Sequence, residues 1–218
     1  MERQTLMWSA SAMQRIGKRE EQQDRWLLDE AAGTYAVFDG LGGHRDGALA
    51  ASTATAALQN RLDAGDTIAD ALNKTNDAVL DLDPDSRRMS AYGCPGTTVA
   101  GICVPQNTVF WCGDSHVYRL RAGVMDRLTK PHVIWGSRLL ACLGMPGDHR
   151  SDALPLDPLP GDQYLICSDG LDCLPPEAVE RIWRSTNNPQ HAVDQLLEAA
   201  VAHARYSDNI TVVAVAAN

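Results

Sequence analysis

The sequence has too few cysteines for a disulfide framework, although six could pair as three disulfides, and they form no metal-binding pattern. Six are present in 218 residues, and no two of them stand in a C-x-x-C arrangement. A disulfide framework needs a larger share of cysteine, and zinc ribbons and thioredoxin-type redox sites are built on the C-x-x-C pair. Because most of these cysteines lie inside apolar segments such as 101–104 and 164–168, we expect buried free thiols in a reducing cytoplasm.

The sequence also lacks an excess of positive charge and any long apolar run. The chain has 19 basic and 28 acidic residues and a net charge of −9, so it lacks an electrostatic footprint for nucleic acid or an anionic membrane. No run of about 18 apolar residues occurs, and no apolar segment precedes residues 9–12 to make a signal peptide. We therefore expect a cytoplasmic protein with no membrane span and no nucleic-acid partner. The surplus carboxylates are usually a solvated face, but they also leave acidic groups available for a metal.

No fixed-period repeat, low-complexity tract or linker divides the chain. Its hydrophobic share is 44% and its charged share 22%, which excludes disordered and collagen-like proteins. A length of 218 residues is enough for a sizeable core. We therefore predict a single domain over residues 1–218.

Hydrophobic periodicity predicts strands and helices in separate groups. The predicted strands lie at 26–28, 35–38, 97–104, 108–112, 116–121, 124–128, 163–168 and 210–216. The predicted helices lie at 47–62, 67–82, 177–184 and 192–204. Residues 129–162 hold five prolines and are typical of a connecting segment. Strands in blocks with helices in pairs favour an α+β fold over alternating βαβ units.

Four aspartates stand at the ends of apolar strands: Asp39, Asp114, Asp169 and Asp208. A rigid strand can hold such a carboxylate at a water-accessible edge, and an adjacent glycine allows a sharp turn. A single aspartate at a strand end is more often a turn-former than a ligand. Several of them, with few Cys or His nearby, favour a hard-oxygen site for Mg²⁺ or Mn²⁺ over a zinc site. The spacing of these aspartates alone is compatible with turn-forming residues and with metal ligands.

Five short motifs in a fixed order make the functional interpretation specific. They are FDGLGGH at 38–44, GTT at 96–98, GDS at 113–115, SDGL at 168–171 and SDNIT at 207–211. Together they resemble the bacterial branch of the PPM (PP2C-type) metal-dependent serine/threonine protein phosphatases. The segment REEQQD at 19–24 is similar to the family's opening motif, in which an arginine precedes an acidic residue by five positions. The resemblance covers residues 15–215.

The resemblance implies a four-layer αββα sandwich of two antiparallel sheets flanked by helices, with a two-metal centre between the sheets. Position by position, it implies that Asp39 bridges both metals and that the Gly40 carbonyl completes one coordination sphere. Asp169 and Asp208 would bind the other metal, and Asp114 would share a third, weaker one with Asp169. The implied cofactor is Mn²⁺ or Mg²⁺, because the same oxygen ligands serve both.

Three further residues would support the metals by the same resemblance. Asp24 would act on the water shell of the metals. Gln23, which stands where many relatives carry Glu, would hold metal-bound water. Asn209 would orient Asp208 or a bound water, as outer-shell partners of metal ligands do.

The implied activity is hydrolysis of phosphoserine and phosphothreonine in proteins, by attack of a metal-bridging water on phosphorus. A phosphate monoester is a dianion that repels hydroxide, and paired divalent cations both neutralise it and activate water. Arg19 would clamp the phosphate, because its planar fork pairs two oxygens at once, and His44 would donate a proton to the departing seryl or threonyl oxygen. Without the resemblance, Arg19 is more simply a solvated charge and His44 a turn residue or helix cap.

Two departures from the family pattern matter for function. His116 stands where relatives carry the arginine of G-D-S-R, which predicts the loss of a structural contact rather than of a catalytic one. Between 131–132 and 143–144 the chain is shorter than its bacterial relatives, which carry a mobile flap beside the active site. We therefore predict a shortened flap segment around 131–144 and a more open cleft, with Trp135 as a candidate for its lip.

Two other functions compete with the phosphatase interpretation. A GDS-type esterase would need a closing D-x-x-H, but Ala200 stands three residues before His203. A non-catalytic phosphoprotein-binding module with the same fold would tolerate the loss of Asp39 or Asp169, and both are present. The expected partners are phosphorylated proteins, a cognate bacterial serine/threonine kinase and its substrates, and we expect a monomer.

Overall fold

The structure, a computed structural model, describes residues 6–41, 45–83, 95–135, 138–146, 150–203 and 205–218. Within these ranges the helices are α1 (Arg45–Asp63), α2 (Ile68–Leu80), α3 (Pro176–Trp183) and α4 (Pro189–Ala202), with a 3₁₀ helix at Asp169–Cys173.

Two five-stranded antiparallel sheets form the centre of the described fold. The first sheet is ordered β1 (Trp8–Arg15), β14 (Ile210–Ala217), β13 (Gln163–Cys167), β8 (His116–Arg121) and β9 (Val124–Arg127). The second is ordered β12 (Asp152–Pro155), β7 (Thr108–Cys112), β6 (Val99–Cys103), β3 (Thr34–Phe38) and β2 (Arg25–Asp29). Two short ribbons pair β4 (Gly40–Leu41) with β5 (Gly96–Thr97) and β10 (Val133–Ile134) with β11 (Arg138–Leu139).

The second sheet is buried on both faces, and strand β3 shows how. Successive side chains along a strand point to opposite faces. Ala36 and Phe38 pack in the apolar cluster formed with α1 and α2. Tyr35 and Val37 pack in the cluster that fills the space between the two sheets. All five residues of β3 are buried, which explains why the strand reads as one continuous apolar run.

The first sheet repeats this division along β14. Val213 and Val215 belong to the cluster between the sheets, whereas Val212 and Ala214 belong to the cluster with α3 and α4. Trp183 of α3 is fully buried in that outer cluster. The order of layers is therefore α1/α2, second sheet, first sheet, α3/α4, and the predicted αββα sandwich is confirmed.

The helix predictions agree with the observed helices to within a few residues, and local capping explains the ends. The Thr67 hydroxyl accepts a hydrogen bond from the Asp70 N–H at 3.1 Å and starts α2. The Asn188 side chain accepts from the His191 N–H at 3.1 Å and starts α4, with proline at its first position.

Two strands of the two five-stranded sheets, as well as the short strands β4, β10 and β11, were missing from the sequence prediction. Strand β1 (Trp8–Arg15) is mostly half-buried and consists largely of small and polar residues, so it carries little of the apolar signal that marks a strand. Strand β12 (Asp152–Pro155) lies in the segment predicted to be a connection and pairs with β7 at the sheet edge. Its terminal proline is tolerated there because an edge strand need not donate every N–H.

The structure also bears on two expectations drawn from composition, which concern the cysteines and membrane-spanning segments. Cys103, Cys112, Cys167 and Cys173 are free thiols, as expected, and Cys94 lies outside the described residues. Within the described ranges, no helix combines the length and apolar character that a membrane crossing requires.

Candidate metal centre

Carboxylates that are far apart in the sequence meet at one end of the sandwich. Asp39 follows β3 and Asp114 lies two residues after β7, in the second sheet. Asp169 lies just after β13, and Asp208 lies just before β14, in the first sheet. All four line one cleft of about 600 Å³. The cleft is further lined by Arg19, Gln23, Gly40 and Asn209, together with Lys18, Glu20, Glu21, Leu41 and Leu139.

The backbone of Asp39 is held by the two threonines of the GTT motif. Its carbonyl accepts hydrogen bonds from the Thr98 N–H at 2.8 Å and the Thr97 hydroxyl at 2.9 Å. Its own N–H donates to the Thr98 hydroxyl oxygen at 3.2 Å. These three bonds hold the Asp39 backbone on both sides of its Cα atom and so fix the point from which its carboxylate extends.

Gly40 lies where the chain has no room for a side chain. A Cβ atom there would stand 2.2 Å from the Gly47 carbonyl oxygen and 2.7 Å from that of Gln23. Only glycine therefore fits between the start of α1 and the loop that carries Gln23. This close packing holds the residue that follows Asp39 against the cleft.

Hydroxyl groups connect Asp39 to the turn that carries Asp114. The Thr98 and Ser115 hydroxyls share a buried hydrogen bond of 2.7 Å. Gly113, at φ +113°, packs so closely that a Cβ would meet the Thr98 side chain at 2.7 Å. The turns after β3 and β7 are thus fastened to each other as well as to the sheet.

Asp169 begins the 3₁₀ helix directly after β13, and Gly170 places this turn against the start of β14. A Cβ on Gly170 would stand 1.9 Å from the Asn209 carbonyl oxygen. Since the two backbones touch, Asp169 and Asp208 are brought to the same edge although 39 positions separate them in the sequence.

Asp24 lies behind the cleft and is fully buried. The Ser168 hydroxyl donates to its Oδ2 at 2.8 Å and accepts from the Thr211 N–H at 3.0 Å. Among the described residues its second oxygen, Oδ1, has no hydrogen-bond partner of normal geometry. A buried carboxylate oxygen without a partner is costly, and it points to a further group that this site accommodates.

Asn209 ties the loop that bears Arg19 and Asp24 to strand β14. Its side-chain oxygen accepts from the Gln23 N–H at 2.8 Å, and its amide donates to the carbonyls of Ile16 at 2.7 Å and Glu21 at 3.1 Å. Its backbone N–H donates to Asp208 Oδ1 at 2.8 Å. One residue therefore positions both the loop and the neighbouring carboxylate.

Arg19 forms a two-point ion pair with Asp208. Its Nε and Nη2 atoms donate to Oδ1 and Oδ2 at 2.7 and 2.5 Å. The Arg19 side chain is 61% exposed, so it lies at the rim of the cleft in contact with solvent. This parallel fork is the geometry with which arginine also binds phosphate.

Burial and mutual repulsion raise the pKa values of the grouped carboxyls. Burial raises the pKa of Asp24 to about 6 and, with the charge of Asp114, that of Asp169 to about 6. Burial and the charges of Asp24 and Asp169 hold the pKa of Asp39 well above its usual range. Burial likewise raises the pKa of Asp114. Grouped carboxylates that resist ionisation favour a site that binds positive charge.

The donor set fits Mg²⁺ or Mn²⁺. Every candidate ligand is a carboxylate or carbonyl oxygen, which are the donors hard cations prefer. Within the described ranges, however, no three His, Cys, Asp or Glu side chains form a ready-made cage. The carboxyls of Asp39 and Asp169 hydrogen-bond to each other, and Asp208 is engaged by Arg19. A proton shared by Asp39 and Asp169 and the charge of Arg19 beside Asp208 offset the repulsion between these carboxylates.

His116, for which the loss of a structural contact was predicted, makes a structural contact between the two turns. Its Nε2 lies 3.0 Å from both carboxylate oxygens of Asp172 in the 3₁₀ helix, and its Nδ1 contacts the Arg127 guanidinium. Because Asp114 lies two residues before His116 and Asp169 three before Asp172, this contact spans the two carboxylate-bearing turns.

The structure brings together nearly all of the predicted site residues. His44, the predicted proton donor, lies outside the described residues, so its role stays a prediction. Sequence reasoning assigned no role to Thr97, Thr98, Ser115 or Ser168, although each stands in one of the quoted motifs. The sequence signal for these residues was a hydroxyl group within two positions of a motif aspartate or glycine. Such hydroxyl groups commonly form hydrogen bonds with the backbone of a turn.

Comparison with known proteins finds relatives over most of this chain. The family described as Stage II sporulation protein E (SpoIIE) matches residues 33–218. The serine/threonine phosphatase Stp of Listeria innocua is 30% identical over 212 residues, covering 84% of this chain and 83% of the relative.

Two solved structures are similar over almost the whole chain. The PPM Ser-Thr phosphatase MsPP from Mycobacterium smegmatis, solved with cacodylate, has a TM-score of 0.83 at 30% identity, covering 96% of this chain and 98% of its own. The catalytic domain of PstP, solved with two manganese ions, has a TM-score of 0.80 at 26% identity, covering 98% and 99%. With the strand-end carboxylates gathered in one cleft, these matches establish that the chain belongs to the bacterial branch of the PPM (PP2C-type) protein phosphatases.

Proposed function

We propose that this chain hydrolyses phosphoserine and phosphothreonine in proteins with the help of two divalent cations, Mn²⁺ or Mg²⁺. The observation that carries the proposal is the set of four strand-end carboxylates that line one cleft, of which Asp39, Asp114 and Asp169 have raised pKa values. The manganese ions in the related PstP structure support the choice of metal.

In this proposal the cleft carboxylates hold the cations. Asp39 and the Gly40 carbonyl bind on the side of the second sheet, Asp169 and Asp208 on the side of the first, and Asp114 serves a third, weaker site with Asp169. When bound, the cations neutralise the phosphate dianion and lower the pKa of a water that attacks phosphorus.

Two further side chains act on the water around the cations. Asp24, buried and with one oxygen unpartnered in the described structure, accepts a hydrogen bond from water at the back of the cleft. Gln23, which lines the cleft, holds a second water through its amide.

Arg19 binds the phosphate of the substrate. Its guanidinium already presents a parallel fork to Asp208 at the rim of the cleft, and the same two donors match two phosphoryl oxygens. If Asp208 held a cation instead, the Arg19 fork would be available to the phosphate of the substrate. His44 remains the proposed donor of a proton to the departing seryl or threonyl oxygen.

The wider cellular role is also a proposal. We infer that residues 1–218 act as one domain with a shortened flap around 131–144, as a monomer in the cytoplasm. The substrates are phosphoproteins made by a cognate bacterial serine/threonine kinase. The relatives, which are serine/threonine phosphatases, support phosphoprotein substrates.

The test is hydrolysis of para-nitrophenyl phosphate and of a phosphothreonine peptide with Mn²⁺, Mg²⁺ or EDTA. We expect metal-dependent turnover in the wild type and a loss of at least about a hundredfold in kcat for Asp169→Asn, since one ligand charge is removed. Asp157→Asn is the matched control, because this carboxylate is exposed and lies outside the cleft. A folded wild type that is inactive with both metals, yet binds the phosphopeptide, would show a recognition module instead.

A further inference from the structure

An apolar groove lies beside the carboxylate cleft. It has a volume of about 440 Å³, which is within the usual range for sites that take small ligands or single side chains. It is lined by Leu41, Pro95, Gly96, Ile134, Trp135, Arg138, Leu139, Leu140, Ala141, Cys142, Gly144 and Met145. Most of these residues belong to the segment predicted to be a shortened flap.

The groove is continuous with the catalytic cleft. Leu41 and Leu139 line both of them. Leu41 lies two residues after Asp39, so the groove begins next to the central carboxylate. A chain that placed a phosphorylated side chain in the cleft would therefore lay its neighbouring residues over the groove.

The cleft has both charged and apolar lining. It is lined by Lys18, Arg19, Glu20 and Glu21, and also by Leu41 and Leu139, which it shares with the apolar groove. A substrate segment bound in the cleft therefore meets both charged side chains and apolar surface.

Trp135 stands at the groove with most of its surface in solvent. Its side chain is 81% exposed, and its backbone adopts φ +52°, a conformation that costs energy for a bulky residue. The ribbon of β10 and β11 that carries it is fastened by the Leu140 N–H, which donates to the His132 carbonyl at 2.7 Å. A strained, exposed indole on an anchored turn is a feature of binding surfaces.

We propose that this groove holds a large apolar side chain that flanks the phosphorylated residue of the substrate protein, and that Trp135 is its main specificity-determining residue. The proposal rests on the phosphatase function above. Leu139 forms the passage between the two sites, and Ile134 and Leu140 provide further contact area. Phosphoproteins with a leucine, methionine or aromatic residue beside the phosphothreonine are the preferred substrates.

The test compares phosphothreonine peptides that differ at one flanking position, leucine or serine, moved through the three positions on each side. For the wild type we expect kcat/KM to favour leucine about tenfold at one position, since one apolar side chain supports discrimination of this size. Trp135→Asn removes the indole but keeps a residue that tolerates positive φ. We expect it to reduce this preference to about twofold, through KM, with hydrolysis of para-nitrophenyl phosphate unchanged.

Two further variants make the result specific. Leu140→Gln, at an exposed groove position, should weaken the same preference. Trp26→Ala is the matched control, because Trp26 is also exposed but lies on β2, outside the groove. Emission of the wild type should shift to the blue when the leucine peptide buries the indole, and Trp135→Asn should lack that shift.

Each outcome decides between the two proposals. Turnover of every peptide at one rate by the wild type overturns the groove inference and leaves the phosphatase proposal standing. Absence of turnover on all substrates overturns both. Self-association of the wild type that Trp135→Asn abolishes, without any leucine preference, would assign the groove to a second copy of the chain and overturn the inference.

Discussion

Replacement of Ser168 by alanine tests whether the buried support behind the cleft has the strength that its geometry suggests. The hydroxyl is fully buried between Asp24 and the start of β14. It donates to Asp24 Oδ2 at 2.8 Å and accepts from the Thr211 N–H at 3.0 Å. The variant removes both hydrogen bonds without changing the backbone. The decrease in the free energy of unfolding therefore measures the contribution of these two bonds.

The expected magnitude follows from these two bonds. A hydrogen bond to a charged group contributes about 1.5–3 kcal/mol, and a backbone bond about 1 kcal/mol. We therefore expect the free energy of unfolding of Ser168→Ala to fall by about 3 kcal/mol at neutral pH. For a domain of this size that corresponds to a decrease in Tm of about 10 °C.

The pH dependence of the stability difference between Ser168→Ala and the wild type provides a second, independent test. The pKa of Asp24 is raised by burial to about 6 in the folded protein, so the folded state holds this proton more tightly than the unfolded state. Asp24 therefore contributes stability at low pH that is lost as the pH rises to about 6. The Ser168 hydroxyl stabilises the charged form, so the difference between variant and wild type should be largest above pH 6 and shrink below it.

Urea unfolding with EDTA present, at pH 5 and at pH 8, provides the measurement. Ser185→Ala is the matched control, because its hydroxyl also has two partners but is exposed, and we expect a change within about 0.5 kcal/mol. A Ser168→Ala protein as stable as the wild type at pH 8, or one whose deficit grows toward pH 5, would refute the reasoning.

Three further predictions test other contacts. Arg19→Lys keeps the charge but loses the two-point fork, so KM for para-nitrophenyl phosphate should rise about tenfold with a smaller change in kcat; steady-state kinetics with an unchanged KM would contradict the clamp. Gly170→Ala places a Cβ at 1.9 Å from the Asn209 carbonyl oxygen, so the variant should lose about a hundredfold in metal-dependent kcat while circular dichroism still shows a folded protein. Burial alone would raise the pKa of Asp162, but the hydrogen bonds and charge of Arg121 outweigh it and lower that pKa. The pair therefore stabilises the fold at neutral pH and loses this contribution as the pH falls through the acid range, and Asp162→Asn should cost about 3 kcal/mol in urea unfolding at pH 7. An equal loss at pH 3 would argue against the ion pair.

The elements predicted best are those whose signal is local. Helix α2 (Ile68–Leu80) has apolar periodicity and a threonine cap, and strand β3 (Thr34–Phe38) is one apolar run. Strand β1 (Trp8–Arg15) was missed because its order comes from pairing with β14, along all eight of its residues, rather than from its own composition. Pairing with a strand that is distant in the sequence does not require a periodic pattern of apolar residues in the paired strand.

Residue identities alone determined the candidate carboxylates, the glycines that stand beside them and the family to which they belong, because motif chemistry is carried by side-chain type and order. The tertiary structure decided the rest. Only the packing of two sheets brings Asp39 and Asp169 into hydrogen-bonding distance, turns Ser168 toward Asp24, and joins the groove at Trp135 to the cleft. The physical reason is that these contacts depend on distances between segments far apart in the chain, and such distances are set by how the layers pack.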